Sequence, residues 1–402
     1  MDLAFLHPLY ERPGPWASVY VDTSRHAEDA AHQRHLTARA MARDLADQGA
    51  DEATCRAVLE AVDEAPRFTG PDGRVLFARD GEVVLEAPLA RPPQGGDWAR
   101  WAALPRVAPL LELAGEDPVA VVAYVDRKGA DFELRSVLGR DDAGKVTGRQ
   151  WPVHRTATAD WSERHFQLRV ENTWEHNAAE IADALAVCQE ESGADLLILV
   201  GDDRERRAVR ERLPQRLHGM VVEASHGSGS RLLDDDVERL RTEHVREREA
   251  AELERFLAAR APDDEGRAAA VEGVPALVEA AREHRIDELL IRPDAPDGRR
   301  EVWIGEDPDQ VAVRRTELKI LGEQQSWAAR ADDALIRSAA MSDASALVVG
   351  ADLDRDPSGD LDRDRDAGTG NGDGDGEADG APADPSSTDA PVGGLGALLR
   401  WK

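Results

Sequence analysis

The sequence predicts an α/β protein built from three units. Short β-branched or continuous apolar runs recur along the chain, at 18–22, 119–125, 196–200, 289–292 and 346–349. Longer stretches with helical apolar spacing stand between them, so strand and helix alternate, most regularly in the second half. The 402 residues also exceed what one core usually holds, and the polar, turn-like stretch 141–148 and Ala261-Pro262-Asp263 offer boundaries. The expected units are 1–140, 141–262 and 263–402.

The elements follow in order. Residues 18–22 alternate and are β-branched, and after Thr23 and Ser24 a long helix reaches Gln48, where Gly49 stops it. A second helix begins near Asp51 and ends before Pro66. Strands at 74–78 and 82–86 flank Asp80-Gly81, a hairpin signal. Residues 88–109, with Pro92-Pro93 and Gly95-Gly96, read as loop. The apolar run 119–125 reads as a buried strand with an antiparallel partner over 131–138. Residues 151–173 show no clean period and are rich in Trp, His and Arg. A helix is expected over 174–191, a buried strand over 196–200, and an arginine-rich helix up to Leu213, stopped by Pro214. A strand at 220–224, a flexible loop at 226–230 and a long charged helix over 234–260 complete this unit. The last unit reads as helix 266–284, strands 289–292 and 302–304, helix 332–341 and strand 346–349.

Residues 352–391 differ in kind. From 351 to 391 there are 13 acidic and 3 basic residues, a local charge of −10. Such a segment buries too little apolar surface to offset its ordering entropy, so a disordered acidic insertion is expected. The chain turns apolar again from Gly394 to Trp401, which is expected to rejoin the last unit as a strand or helix. Asp373-Gly-Asp375-Gly lacks the calcium loop that ends in Glu, and plain solvation is the simpler reading.

Composition narrows the function. With 80 acidic and 50 basic residues the net charge is −30, which opposes non-specific binding of phosphate backbones but leaves local arginine patches open. No run approaches the roughly 20 apolar residues that span a bilayer, and the opening MDLAFLHPLYERPGPW lacks the features of a secretory signal. A cytoplasmic protein without a membrane partner is expected. Cys55 and Cys188 fall in helical patterns and read as small buried apolar groups.

Three local strings carry a resemblance: Val-Tyr-Val-Asp-Thr-Ser at 19–24, Glu171-Asn172-Thr173-Trp174 with its following helix, and Asp332-Asp333-Ala334-Leu335-Ile336-Arg337 followed by Ala346-Leu347-Val348-Val349. With them, the chain resembles the bacterial relatives of the archaeal and eukaryotic class-one release factors and Pelota, in the actinobacterial branch related to the hibernation factor Balon. The resemblance implies an RNase H-like middle domain at 141–262 and an L7Ae/Pelota-like C-terminal domain. It implies a tRNA mimic in the ribosomal A site, bound to rRNA, with elongation factor Tu as a delivery partner. It implies a monomer away from the ribosome and no cofactor. The sequence departs from the release factors at one point: no Gly-Gly-Gln occurs, since Gly95-Gly96 precedes Asp97 and Gly393-Gly394 precedes Leu395. Without glycines that let backbone approach the ester, and without the glutamine, peptide release is unsupported. A non-catalytic occupant acting in hibernation or ribosome protection is expected; a peptidyl-tRNA hydrolase or RNA nuclease on the same scaffold is the alternative.

Candidate RNA contacts fall in two places. The loop before the middle helix holds Trp161, Arg164, His165 and Arg169, with Trp151, His154 and Arg155 nearby. Arginine forks grip phosphate and aromatic faces stack on unpaired bases; a solvated loop anchored by its tryptophans is the plainer alternative. The helix after Asp203 holds Arg204, Arg206, Arg207 and Arg210, where an ion-paired solvated face is the alternative. Gly201-Asp202-Asp203 closes a buried strand, where a metal site or simple helix capping could stand, and capping is favoured. His32 and His35 share a helix face without an evident acidic or cysteine partner, so no metal site is expected there.

Overall fold

The computed structural model describes residues 1–11, 14–24, 30–64, 72–115, 118–126, 129–135, 174–227, 229–293, 295–320, 322–323, 325–350 and 391–400. The chain opens with a short helix, α1 (His7–Tyr10), and the central strand β1 (Trp16–Asp22). Helices α2 (Ala30–Asp47) and α3 (Glu52–Asp63) follow, then β2 (Gly73–Arg79), β3 (Glu82–Leu89), β4 (Trp98–Ala102) and α4 (Ala108–Ala114). The four strands form one antiparallel sheet in the order β3-β2-β1-β4. The Asp80-Gly81 hairpin forms as expected, with both residues at positive φ (50° and 82°), the geometry that matches the right-handed strand twist. Asp51 caps α3, accepting from the Thr54 nitrogen (2.9 Å) and hydroxyl (2.7 Å).

Period-two alternation gives β1 two buried faces. Ala17, Val19 and Val21 face α2 and α3, meeting Met41, Leu45, Val58 and Val62. Trp16 and Tyr20 point the other way, into a core shared with the last unit. Strand β4 was not expected, because prolines and glycines dominate 88–109. It forms because the open edge of β1 needs backbone partners, and Trp98–Ala102 supplies them.

The second sheet comprises β5 (Ala120–Asp126), β6 (Gly129–Arg135), β7 (Leu196–Val200) and β8 (Val221–Glu223), in the order β6-β5-β7-β8. β5 pairs parallel with β7, and β7 parallel with β8. Residues 120–135 therefore belong with the middle unit, and the boundary expected at 140 instead falls before Pro118. Two helices, α5 (Trp174–Ser192) and α6 (Asp203–Arg210), cover the face carrying Val121, Ala123, Leu197 and Leu199. The long helix α7 (Leu233–Ala259) covers the opposite face with Leu233, Val237 and Leu240 against Val122 and Ile198.

The far end of α7 lies on the last unit. Phe256 packs there with Leu290, Leu347 and Leu398. That unit holds β9 (Ala270–Glu272), α8 (Val274–Arg282), β10 (Ile286–Ile291), β11 (Glu301–Ile304), β12 (Val311–Ala312), α9 (Arg315–Ile320), β13 (Trp327–Arg330), α10 (Ala331–Met341), β14 (Ser345–Val348) and β15 (Leu395–Leu399). Its main sheet runs β14-β10-β15-β9, and a small sheet runs β12-β11-β13. The apolar C-terminal stretch thus rejoins the last unit as an interior strand. The expected helix from 266 begins only at Val274, because β9 is drawn into pairing with β15. The expected acidic insertion at 352–391 lies outside the described residues apart from Pro391.

The first and last units share one apolar core. Met1 exchanges backbone hydrogen bonds with Ala346 (2.8 and 2.9 Å), Leu3, Leu6 and Leu9 are buried, and His7 Nε2 donates to the Ala340 carbonyl at 2.8 Å. Every residue of α10 from Ala331 to Ala340 is buried, because the first unit covers the side the C-terminal sheet does not.

Candidate functional site

The middle unit places the arginine-rich helix at the carboxyl end of its sheet. β7 leads through Gly201 into α6. Gly201 has φ 154°, and a Cβ there would collide with the Val125 carbonyl oxygen, so only glycine passes. Asp202 takes the N-cap position, but its side chain makes no capping hydrogen bond, contrary to the favoured reading. Asp203 instead pairs with Arg206. Both acids suit the positive end of the helix dipole.

Val209 and Leu213 are buried, so the arginines lie along the outer faces. Arg206 reaches Asp203, the Ala224 carbonyl and Glu223 (3.5 Å). Arg207 pairs with Glu211 at 2.9 Å and Arg210 with Glu223 at 3.4 Å. Arg204 is exposed. Arg206, Arg207 and Arg210 line an open cleft of about 600 Å³ together with Asp203, Glu211, Glu223 and His218. Three guanidiniums face three carboxylates there, so a phosphate would have to displace existing ion pairs. Trp161, Arg164, His165 and Arg169, like Trp151, His154 and Arg155, lie outside the described residues.

The histidines of α2 differ from expectation in one respect. His35 does have an acidic neighbour, since its Nδ1 lies 3.1 Å from Asp63 of α3. Both cysteines are free and buried, and burial pushes the Cys188 thiol up to about 11. Among the described residues no group of three His, Cys, Asp or Glu side chains is placed to hold a metal ion, and no helix is long and apolar enough to cross a membrane.

Sequence reasoning missed a buried cluster of charge at the junction of the first and last units. Ser18 and Tyr20 of β1 fix the loop before α4: the Arg106 nitrogen donates to Ser18 Oγ (2.8 Å), and Tyr20 Oη donates to the Arg106 carbonyl (2.7 Å). Arg106 then reaches across to Asp332 (2.9 Å) and Asp333 (3.0 Å). Arg330 grips Asp332 with two hydrogen bonds, 3.1 and 2.8 Å. Asp333 also accepts from the Val107 nitrogen at 3.1 Å. Burial and then neighbouring Asp332 push the Asp333 carboxyl up to about 7, against the pull of Arg106 and Arg330. Burial opposes the charge on Arg106, but Asp333 and Asp332 outweigh it and hold its pKa above the ordinary value. The signal was present: two adjacent aspartates in an apolar helix require cations from elsewhere.

The comparisons bear on the middle unit first. The profile of the bacterial archaeo-eukaryotic release factor family 2 matches residues 119–262. Its start coincides with β5, in agreement with the sheet. Across nearly its whole length the chain is 30% identical, over 396 residues, to "Uncharacterized protein Rv2629" of Mycobacterium tuberculosis (strain ATCC 25618 / H37Rv), covering 98% of this chain and 95% of that one. The chain belongs to the bacterial archaeo-eukaryotic release factor family. Solved structures similar to this release-factor-like chain include Archaeoglobus fulgidus Pelota, at 16% identity over 82% of this chain and 79% of that one, with a TM-score of 0.31. An archaeal Pelota from a ribosome-bound model with ABCE1 matches at 12% identity over 100% and 94%, with a TM-score of 0.37. At such scores the molecules do not superpose as wholes, and neither likeness carries further weight.

Proposed function

We propose that this protein is a cytoplasmic ribosome-associated factor that occupies the A site as a tRNA mimic and protects idle ribosomes without cleaving the peptidyl-tRNA ester. The observation that carries the reading is the match of residues 119–262 to a release factor family in a chain that contains no Gly-Gly-Gln. A body of that family would bring its middle unit toward the peptidyl-transferase region, and without the tripeptide it would fill that space and not react. In this reading Trp161, Arg164, His165 and Arg169 meet rRNA, together with the exposed Arg204 of α6. Arg206, Arg207 and Arg210 would join only by exchanging carboxylate partners for phosphates. Elongation factor Tu is the delivery partner the reading implies.

The test is co-sedimentation of the purified full-length chain with vacant ribosomes at low and moderate salt, alongside a peptidyl-tRNA release assay. Binding that weakens with salt, as counterion release requires, and no peptide release are the expected results. Failure to sediment with ribosomes at either salt, or release of peptide, overturns the reading.

A further inference from the structure

A cavity of about 290 Å³ lies where the first and last units meet. Tyr10, Trp16 and Trp101 form its wall on one side, and Ile304, Trp327 and Arg337 close the other. Its lining is apolar with two exceptions. The Tyr10 hydroxyl is buried and has no hydrogen-bond partner among the described residues. Tyr10 itself is only 5% exposed, and buried hydroxyls are ordinarily hydrogen-bonded. The second exception is the Arg337 guanidinium, on a residue 3% exposed. It donates to the carbonyls of Gly305 (3.1 Å) and Glu306, which uses two of its five N–H groups. No carboxylate is in ion-pair contact with it among the described residues.

The charge count at this junction is uneven. Arg106 and Arg330 are matched by Asp332 and Asp333, and Arg337 is a third guanidinium left over. Burial pulls Arg337 below its ordinary pKa, while Tyr10, Asp307 and Asp309 support its charge through space. A buried cation without a contacting anion is costly, and so is a buried hydroxyl without a partner. Both costs sit on the same cavity, and one ligand group answers both. A carboxylate would accept from the Tyr10 hydroxyl and the guanidinium together. The tryptophan walls would hold a flat apolar body by offset or edge contacts. The volume is at the small end of ligand sites, which run from about 300 to 1,000 Å³.

We propose that this cavity is a binding site for a small aromatic monocarboxylate, anchored by Tyr10 and Arg337 and walled by Trp16, Trp101 and Trp327. Because its walls come from both units, the ligand ties the first unit to the last and raises the stability of their shared core. The site is independent of the ribosomal reading and stands or falls without it.

The test is calorimetric titration of the full-length chain with 1-naphthylacetate and with its neutral isostere 1-naphthylacetamide. The carboxylate is expected to bind at least tenfold more tightly than the amide and to raise the melting temperature. Tyr10→Phe removes the costly hydroxyl and keeps the ring, so the free protein should melt no lower than before while affinity for the carboxylate falls severalfold. Ala103→Leu, which adds volume inside the cavity, should abolish binding in a protein that still melts cooperatively. Equal affinity for carboxylate and amide, no heat from either at millimolar concentration, or binding untouched by both substitutions overturns the proposal.

Discussion

The first and last units are joined in a different way from the middle and last units. The first two share a continuous apolar core into which Leu6, Leu9, Trp16 and Tyr20 enter from one side and Leu335, Ile336 and Ala339 from the other. The buried Arg106–Asp332–Asp333 cluster closes the same seam. The middle unit keeps two cores of its own and reaches the last unit through α7, anchored by Leu233, Val237 and Leu240 at one end and Phe256 at the other. A helix of 27 residues spans about 40 Å. Distance in sequence therefore says little about packing here: the two units farthest apart along the chain share one core, and the unit between them keeps its own.

The sharpest way to break that contrast is Arg106→Leu. It leaves the buried Asp333 without a cation in contact, while Arg330 still holds Asp332, and about 3 kcal/mol should be lost. Calorimetry should show the transition shared by the first and last units moving down while the transition of the middle unit stays in place. Separate melting of the first and last units would refute the single shared core. A second test uses pH. Asp333 holds its proton more tightly when folded than when unfolded, since burial and Asp332 raise its pKa to about 7. Its contribution to stability is therefore fully present below the unfolded value near 4 and is lost as pH rises through about 7. Stability of the joined units should fall from about pH 4 to pH 7, and Asp333→Asn should flatten that slope. An unchanged slope would place the titration elsewhere. The smallest effect belongs to the other body: Gly201→Ala strains a positive-φ turn against Val125 and should cost the middle unit about 1–3 kcal/mol. Hydrogen exchange should then rise around β7 and α6 and stay constant at the seam.

What the sequence showed and hid follows the same division. The middle unit was legible almost element by element, because β5 and β7 are continuous apolar runs and α6 lies between Asp202 and Pro214. The seam was not. Strand β4 is short and set among prolines and glycines, and its place is decided by the open edge of β1. Strand β9 is hidden in an alanine-rich stretch whose helix propensity yields to pairing with β15. Arg106 stood in an apparent loop, and only the partner aspartates far along the chain reveal its role. On α6 the sequence placed the arginines on a helix but could not show that Glu223, from the next strand, pairs with two of them.

Strand β15 lies between β10 and β9, although it is the last strand in sequence. During synthesis β10 leaves the ribosome long before its neighbour exists, and β9 waits for the same partner. The sheet can close only once residues 395–399 have been made, more than a hundred residues after β10. A premature stop anywhere before Leu395 removes an interior strand, not a tail, and leaves two unpaired edges open to association. Strand order thus ties the integrity of this sheet to a segment made long after its neighbours.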